Sequence, residues 1–183
     1  NAGKAVRQKQ FSLGLDDARG EWTTEVRLWL LTRALVNPLA APAPAPNPAD
    51  EGLWVGLDRL GTGLRASTTR RLGVHHLTAG IDLQSSRDDR TNRRHRQGTP
   101  FGPLLLDQRE TVGEVGLFAQ ATIVRGAWQV RSGMRWDNTS FDVTDALGSG
   151  SGQRTMAAVS GSASLTRAVG RATTWASLST AFE

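Results

Sequence analysis

Between Glu114 and Asp137 the chain alternates apolar and polar residues, breaks once, and resumes in the opposite phase. Val115, Leu117, Ala119, Ala121 and Ile123 take the odd positions. Trp128, Val130, Met134 and Trp136 then take the even ones, with Ser132 interrupting. Glu114, Gly116, Phe118, Gln120 and Thr122 alternate with the first set; Gln129, Arg131, Gly133, Arg135 and Asp137 alternate with the second. Successive side chains point to opposite faces of a strand, so each run has one apolar and one polar face, whereas a helix would repeat every three or four positions. Two such runs, joined around Arg125-Gly126, predict an antiparallel hairpin.

The pattern recurs along the whole chain. Strands are predicted at 8–16, 22–34, 54–69, 74–84, 154–166 and 171–182 in addition to this pair. Phe11, Leu13 and Leu15 form one apolar stripe; Leu77, Ala79, Ile81 and Leu83 form another, opposite His76, Thr78, Gly80, Asp82 and Gln84. Short turns fall at 17–20, 70–73 and 167–170, and long loops at 36–52, 86–108 and 144–153. The first loop is proline-rich, and proline cannot join a ladder. The expected fold is all-β: an antiparallel up-and-down meander of about eight long strands whose connections alternate short and long.

Periodicity alone does not say which face is wet. A soluble barrel or sandwich hides the apolar face, and an outer-membrane barrel turns it to lipid. Strand length favours the second, since about 9–11 tilted residues cross the hydrocarbon while ordinary strands average about five or six. So does the asymmetry of the connections. Trp22, Trp128 and Trp136 lie near strand ends, where aromatic girdles sit. A soluble β-barrel or β-sandwich ligand-binding module is the alternative. Eight strands also suffice to close a small barrel, so a complete small outer-membrane protein is a third possibility.

Composition narrows the chemistry. The 183 residues suit a single β-barrel segment spanning 1–183. The absence of cysteine removes disulfides and thiolate zinc sites. No run approaches the roughly 20 apolar residues of a membrane helix, and no signal peptide is visible. Asn1-Ala2-Gly3 does not read as a native start. The net charge of +5 is carried almost entirely by arginine; this suits an anionic ligand, lipid or nucleic acid.

VGEVGLFAQATI followed by WQVRSGMRWDNTSFDV resembles the G-x-F-x-Q hairpin of TonB-dependent outer-membrane receptors and the strand after it. Gly116, Phe118 and Gln120 carry the first match; Gly133, Arg135, Trp136 and Asp137 carry the second. LTAGIDLQSSRDDR at 77–90 and TTWASLSTAFE at the end are similar to other strands of that family. The resemblance implies a barrel of about 22 strands, an internal plug, and uptake of a scarce solute such as a ferric siderophore. It implies a bacterial outer-membrane location, contact with lipid and lipopolysaccharide, and TonB engagement only through segments outside this chain. With about eight strands and no plug-like segment, the chain is expected to be a piece of the middle-to-late barrel.

The polar stripes carry Arg27, Arg33, Arg59, Arg65, Arg131 and Arg135 beside Glu25, Asp58, Asp82, Glu114 and Asp137. This is either a wall that guides an anionic chelate or a set of cross-strand ion pairs that stiffen it. Arg87, Arg90, Arg93, Arg94 and Arg96, with His95, crowd one loop; with Arg131 and Arg135 these arginines are the candidate ligand-binding residues. No aromatic residue interleaves with that run, so single-stranded nucleic acid is not the expected partner. His75 and His76 are adjacent and face opposite ways, so they cannot chelate together; no metal or cofactor is expected. Asn138-Thr139-Ser140 matches a glycosylation acceptor without weight in a bacterial membrane strand. No catalytic constellation is found, an acyl-transfer enzyme of the outer membrane being the best enzymatic alternative, and none is expected.

Overall fold

The computed structural model describes residues 3–40, 51–148 and 150–180. They form one eight-stranded antiparallel sheet in sequence order: β1 (Ala5–Arg19), β2 (Trp22–Ala40), β3 (Glu51–Leu72), β4 (His75–Arg96), β5 (Thr99–Arg125), β6 (Trp128–Asp145), β7 (Gly152–Val169) and β8 (Ala172–Ser179). The predicted meander is present. β1 and β8 each have one neighbour, so the sheet is open and the small closed barrel is not formed. The described residues form no second layer, which also sets aside a sandwich.

No hydrophobic residue is buried among the described residues. Phe11, Leu13, Leu15, Leu28, Leu30, Leu77, Leu83, Leu117, Val130 and Met134 all stand exposed, and alternation with the register puts them on the same face. Soluble domains bury such a face against another layer. This sheet presents it whole.

The four short turns are built alike. Gly20, Gly73, Gly126 and Gly170 have φ of 60°, 61°, 58° and 59° and open two-residue loops. Positive φ at the first central residue alone is the II′ form, whose twist matches the strands it joins.

The opposite end differs from expectation. The stretch 86–108, predicted as a loop, is the paired outer half of β4 and β5, closed by Gln97 and Gly98 with φ of 49° and 83°. Both residues are left-handed, as a type I′ turn requires. The ladder slips between Asn92 and Arg94. Past Leu83 the stripe of β4 that carries Leu77, Ala79 and Ile81 continues as Ser85, Arg87 and Asp89, so both faces are polar there and the period-two signal vanishes while backbone pairing continues. The two other predicted loops are narrowed in the same way: β2 reaches Ala40, β3 begins at Glu51, β6 reaches Asp145 and β7 begins at Gly152. Residues 41–50 lie outside the described residues.

Gly126→Ala forces a side chain into a glycine-only backbone region and should cost about 1–3 kcal/mol. Gly161→Ala should be nearly neutral, because its new methyl would meet only Gly133 O at 3.6 Å. Urea titration of the protein in detergent micelles separates the two.

Candidate functional site

The polar face is organised in rungs that run across the strands. One rung aligns Gly14, Arg27, Arg65, Asp82, Gly116 and Asp137 from β1 to β6. Arg65 grips Asp82 with two bonds, Nε at 2.6 Å and Nη2 at 2.9 Å. Arg135 sits one rung away, opposite Phe118. It bonds Asp137 at 2.8 Å and reaches back across β5 to Asp82 at 2.5 Å. Asp82 is thereby held by arginines from two strands that are not neighbours.

Glycine makes that crossing possible. A Cβ on Gly116 would stand 2.1 Å from Arg135 Nη2. The same device recurs: Phe118 lies over Gly80 and Trp29 over Gly63, where a Cβ would come within 2.4 Å and 2.2 Å of the rings. The Phe118 ring lies 5.8 Å from the Arg65 guanidinium and 6.0 Å from that of Arg135, an electrostatically favourable placement. The Gly116-x-Phe118-x-Gln120 pattern thus has a local cause: the glycine lets a neighbour's arginine pass, and the phenylalanine fills the space over the next strand's glycine. Open hollows of about 440 Å³ and 380 Å³ flank the network on this face.

A second polar rung lies nearer the long hairpin: Gln8, Arg33, Arg59, Asp88 and Glu110. Arg59 donates two bonds to the buried Asp88, at 2.6 Å and 2.5 Å, and Arg90 bonds Glu110 at 2.5 Å. Arg33 faces Arg59 directly, and its Nε is buried with no hydrogen-bond partner.

The candidate arginines are not brought together. Strand alternation sends Arg87 to the apolar face, beyond its greasy band, where it bonds Asp89 at 3.0 Å; Arg109 bonds the same carboxylate at 2.7 Å. The Arg109 bond, and then that of Arg87, holds Asp89 below the usual carboxylate range. Its contribution to stability is therefore present above the ordinary aspartate pKa and is lost only as pH falls through the lowered value; exposure keeps it small. Arg90 is spent on Glu110. Arg93 and Arg94 are exposed beside the ladder slip, and Arg96 lies 5.5 Å from the Phe101 ring near the hairpin tip. Arg131 neighbours Gln129, and Arg135 belongs to the Asp82 network. Asp58, counted with the polar wall in the sequence, lies on the other face, opposite Asp89.

His95 has a structural part. It is buried, its Nδ1 accepts from Gly98 N at 3.2 Å, and Nε2 lies 3.0 Å from Leu39 O, to which it donates as the neutral tautomer. Gly52 between them leaves the room, since a Cβ there would meet His95 Nε2 at 2.8 Å. The ring ties the tip of the β4–β5 hairpin to the end of β2.

A family model described as TonB dependent receptor-like, beta-barrel, matches residues 2–183. The chain belongs to this receptor-barrel family. Among solved structures, the unliganded crystal structure of the ferric citrate transporter FecA matches with a TM-score of 0.83 over 95% of this chain, at 13% sequence identity. The match takes up 27% of the FecA chain, so this receptor barrel spans about a quarter of that protein's length. No curated protein matches the sequence. Receptors of this family reside in the bacterial outer membrane, and such barrels turn the apolar face to lipid and the polar face to the lumen. In such a barrel the face with the paired arginines and aspartates is the one that lines the interior.

Sequence periodicity placed this wall and left its crossings unseen, because Gly63, Gly80 and Gly116 gain meaning only when register sets a large neighbour over each. Gly116→Ala and Asp82→Asn sever the same Arg135 crossing. The double variant should lose about as much stability as the worse single one, a coupling of about 0.5–3 kcal/mol; simple additivity in a urea titration would dissociate the arginine from the glycine. His95→Ala should speed hydrogen exchange at the Gly98 amide and its neighbours while the lower halves of β3–β5 stay protected.

Proposed function

We propose that this segment forms part of the lumen wall of an outer-membrane transporter that takes up an anionic solute such as a ferric siderophore. The observation that supports it best is Arg33. Most arginines of the wall are committed to carboxylates, as Arg59, Arg65, Arg90 and Arg135 are. Arg33 faces like charge and keeps an unpaired, buried Nε. An unsatisfied guanidinium N–H beside a second cation is a place for a passing anion, which forked donors suit. Exposed Arg93 and Arg94 at the hairpin end would meet the solute first. FecA, whose solute is ferric citrate, shares the fold.

The open edges of β1 and β8 would pair with further strands of a larger barrel, which leaves no backbone group bare in lipid. Outside, just past the apolar band, Lys9 and Arg87 share one stretch of surface with Arg7 and Arg109. They stand where lipopolysaccharide phosphates would lie. TonB contact would come through segments outside this chain.

Arg33→Gln removes one charge-assisted hydrogen bond and should weaken binding of a negatively charged ferric chelate about tenfold, with insertion into the membrane unchanged. Uptake of anionic, neutral and cationic ferric chelates by cells carrying each form decides it. A receptor that prefers a cationic chelate, or treats all three alike with Arg33 present, does not use this wall for an anion.

A further inference from the structure

Around the short turns, the apolar face carries an arrangement that solute uptake does not employ. We propose that it binds one anionic glycerophospholipid of the inner leaflet, the phosphate held between Arg125 and Arg167 across Trp128 and an acyl chain laid in the groove beyond. This rests on the apolar face meeting lipid. Trp128 is the first residue after a short turn, and the register sets Arg125 on one side of it and Arg167 on the other. The Arg167 guanidinium lies 4.8 Å from the indole centroid. A tryptophan flanked by cations suits the headgroup level, where the ring sits at the interface and forked donors meet phosphate.

The charge here is not offset. No Asp or Glu occurs between Val115 and Trp136 or between Ala146 and Phe182. Neither Arg125 nor Arg167 has an ion-pair partner among the described residues. Trp22 shows what the alternative looks like. It is flanked in register by Arg19 and Arg70, with Arg70 at 5.2 Å from its ring. Those cations are balanced, since Arg19 pairs with Asp17 at 3.0 Å and Arg70 lies 3.8 Å from Glu21. Of these two tryptophan groups, the one at Trp128 keeps its positive charge for a ligand among the described residues.

The groove fits the other half of a lipid. Ser132 lies four residues along β6 from Trp128, about 13 Å at strand spacing. There Ala121 faces Ser132, and Ala119 faces Met134 one pair further on. Together with Ala79, these small residues floor an open groove of about 680 Å³, walled by Leu77 and Met134, that crosses the strands from Trp22 and Arg70 to Ser132. An acyl chain resting on this floor makes the dispersion contacts that a rough, unfilled surface forgoes. The β6 end of the groove, at Ser132 and Met134, lies on the strand that Trp128 begins, within reach of an acyl chain whose headgroup sits at Trp128.

The test uses the receptor that contains this segment, in nanodiscs of phosphatidylcholine with a minor fraction of phosphatidylglycerol. Bromine is placed on the acyl chains of one lipid or the other, and quenching of tryptophan emission is compared at equal mole fraction. Phosphatidylglycerol should be enriched at the site by about fivefold for each arginine. The ratio should fall toward one in Arg125→Gln/Arg167→Gln, persist in Arg125→Lys/Arg167→Lys, and stay unchanged in Arg19→Gln. Equal quenching by the two lipids, or a ratio the double glutamine variant does not move, overturns the lipid site and leaves the lipid-facing sheet standing. Absence of quenching by either lipid overturns both.

Discussion

A single layer of sheet has no inside of its own, and that constraint governs everything else in this molecule. Its hydrogen bonds run sideways, strand to strand, and satisfy the backbone without any help from side chains. The side chains are left to face two different solvents. One stripe, with Phe11, Leu30, Leu77, Leu117 and Val130, has nothing among the described residues to pack against. Hydrocarbon supplies what a second layer supplies in a soluble domain. The free edges follow from the same geometry, because only closure of the sheet leaves every N–H and C=O paired in a medium without water.

On the other face the problem is reversed. Guanidinium and carboxylate groups need partners, and a flat ladder offers each side chain only those directly beside it. Glycines relieve this restriction. With no Cβ at Gly116, Arg135 spans β5 and joins β6 to β4. With none at Gly80, Phe118 lies down between two guanidinium groups. The wall is therefore a cross-linked network and not a row of independent pairs, which is how individually weak, half-exposed ion pairs come to stiffen a surface. Arg33, left outside the network, is set apart by that contrast.

The two ends of the strands are built for different surroundings. At one end, four glycines in the same backbone state close two-residue turns, and tryptophans with stacked arginines begin at once. At the other, β4 and β5 continue well past the apolar band and are tied across β3 by the buried His95. In an outer-membrane barrel the first would be a tight lip at the membrane surface. The second would project beyond it, with its arginines divided between its faces.

Much of this was determined by the sequence alone. Alternation at every second position set the strands, the two faces and the meander order, because the pleat makes side-chain direction a strictly local property. The G-x-F-x-Q hairpin with the strand after it pointed to the receptor family, and the family match agrees. The outer half of the β4–β5 hairpin escaped, since a strand wet on both faces leaves no apolar period to read. The division of Arg87 from Arg90 follows from alternation once that half is known to be strand, and the placement of Asp58 follows from alternation within β3. The clamp at His95 and the sites beneath Trp29, Phe118 and Arg135 escaped for another reason. Each depends on which residue of another strand stands alongside, and register between strands is fixed by turn geometry and pairing over the whole sheet. Only the assembled structure holds that information.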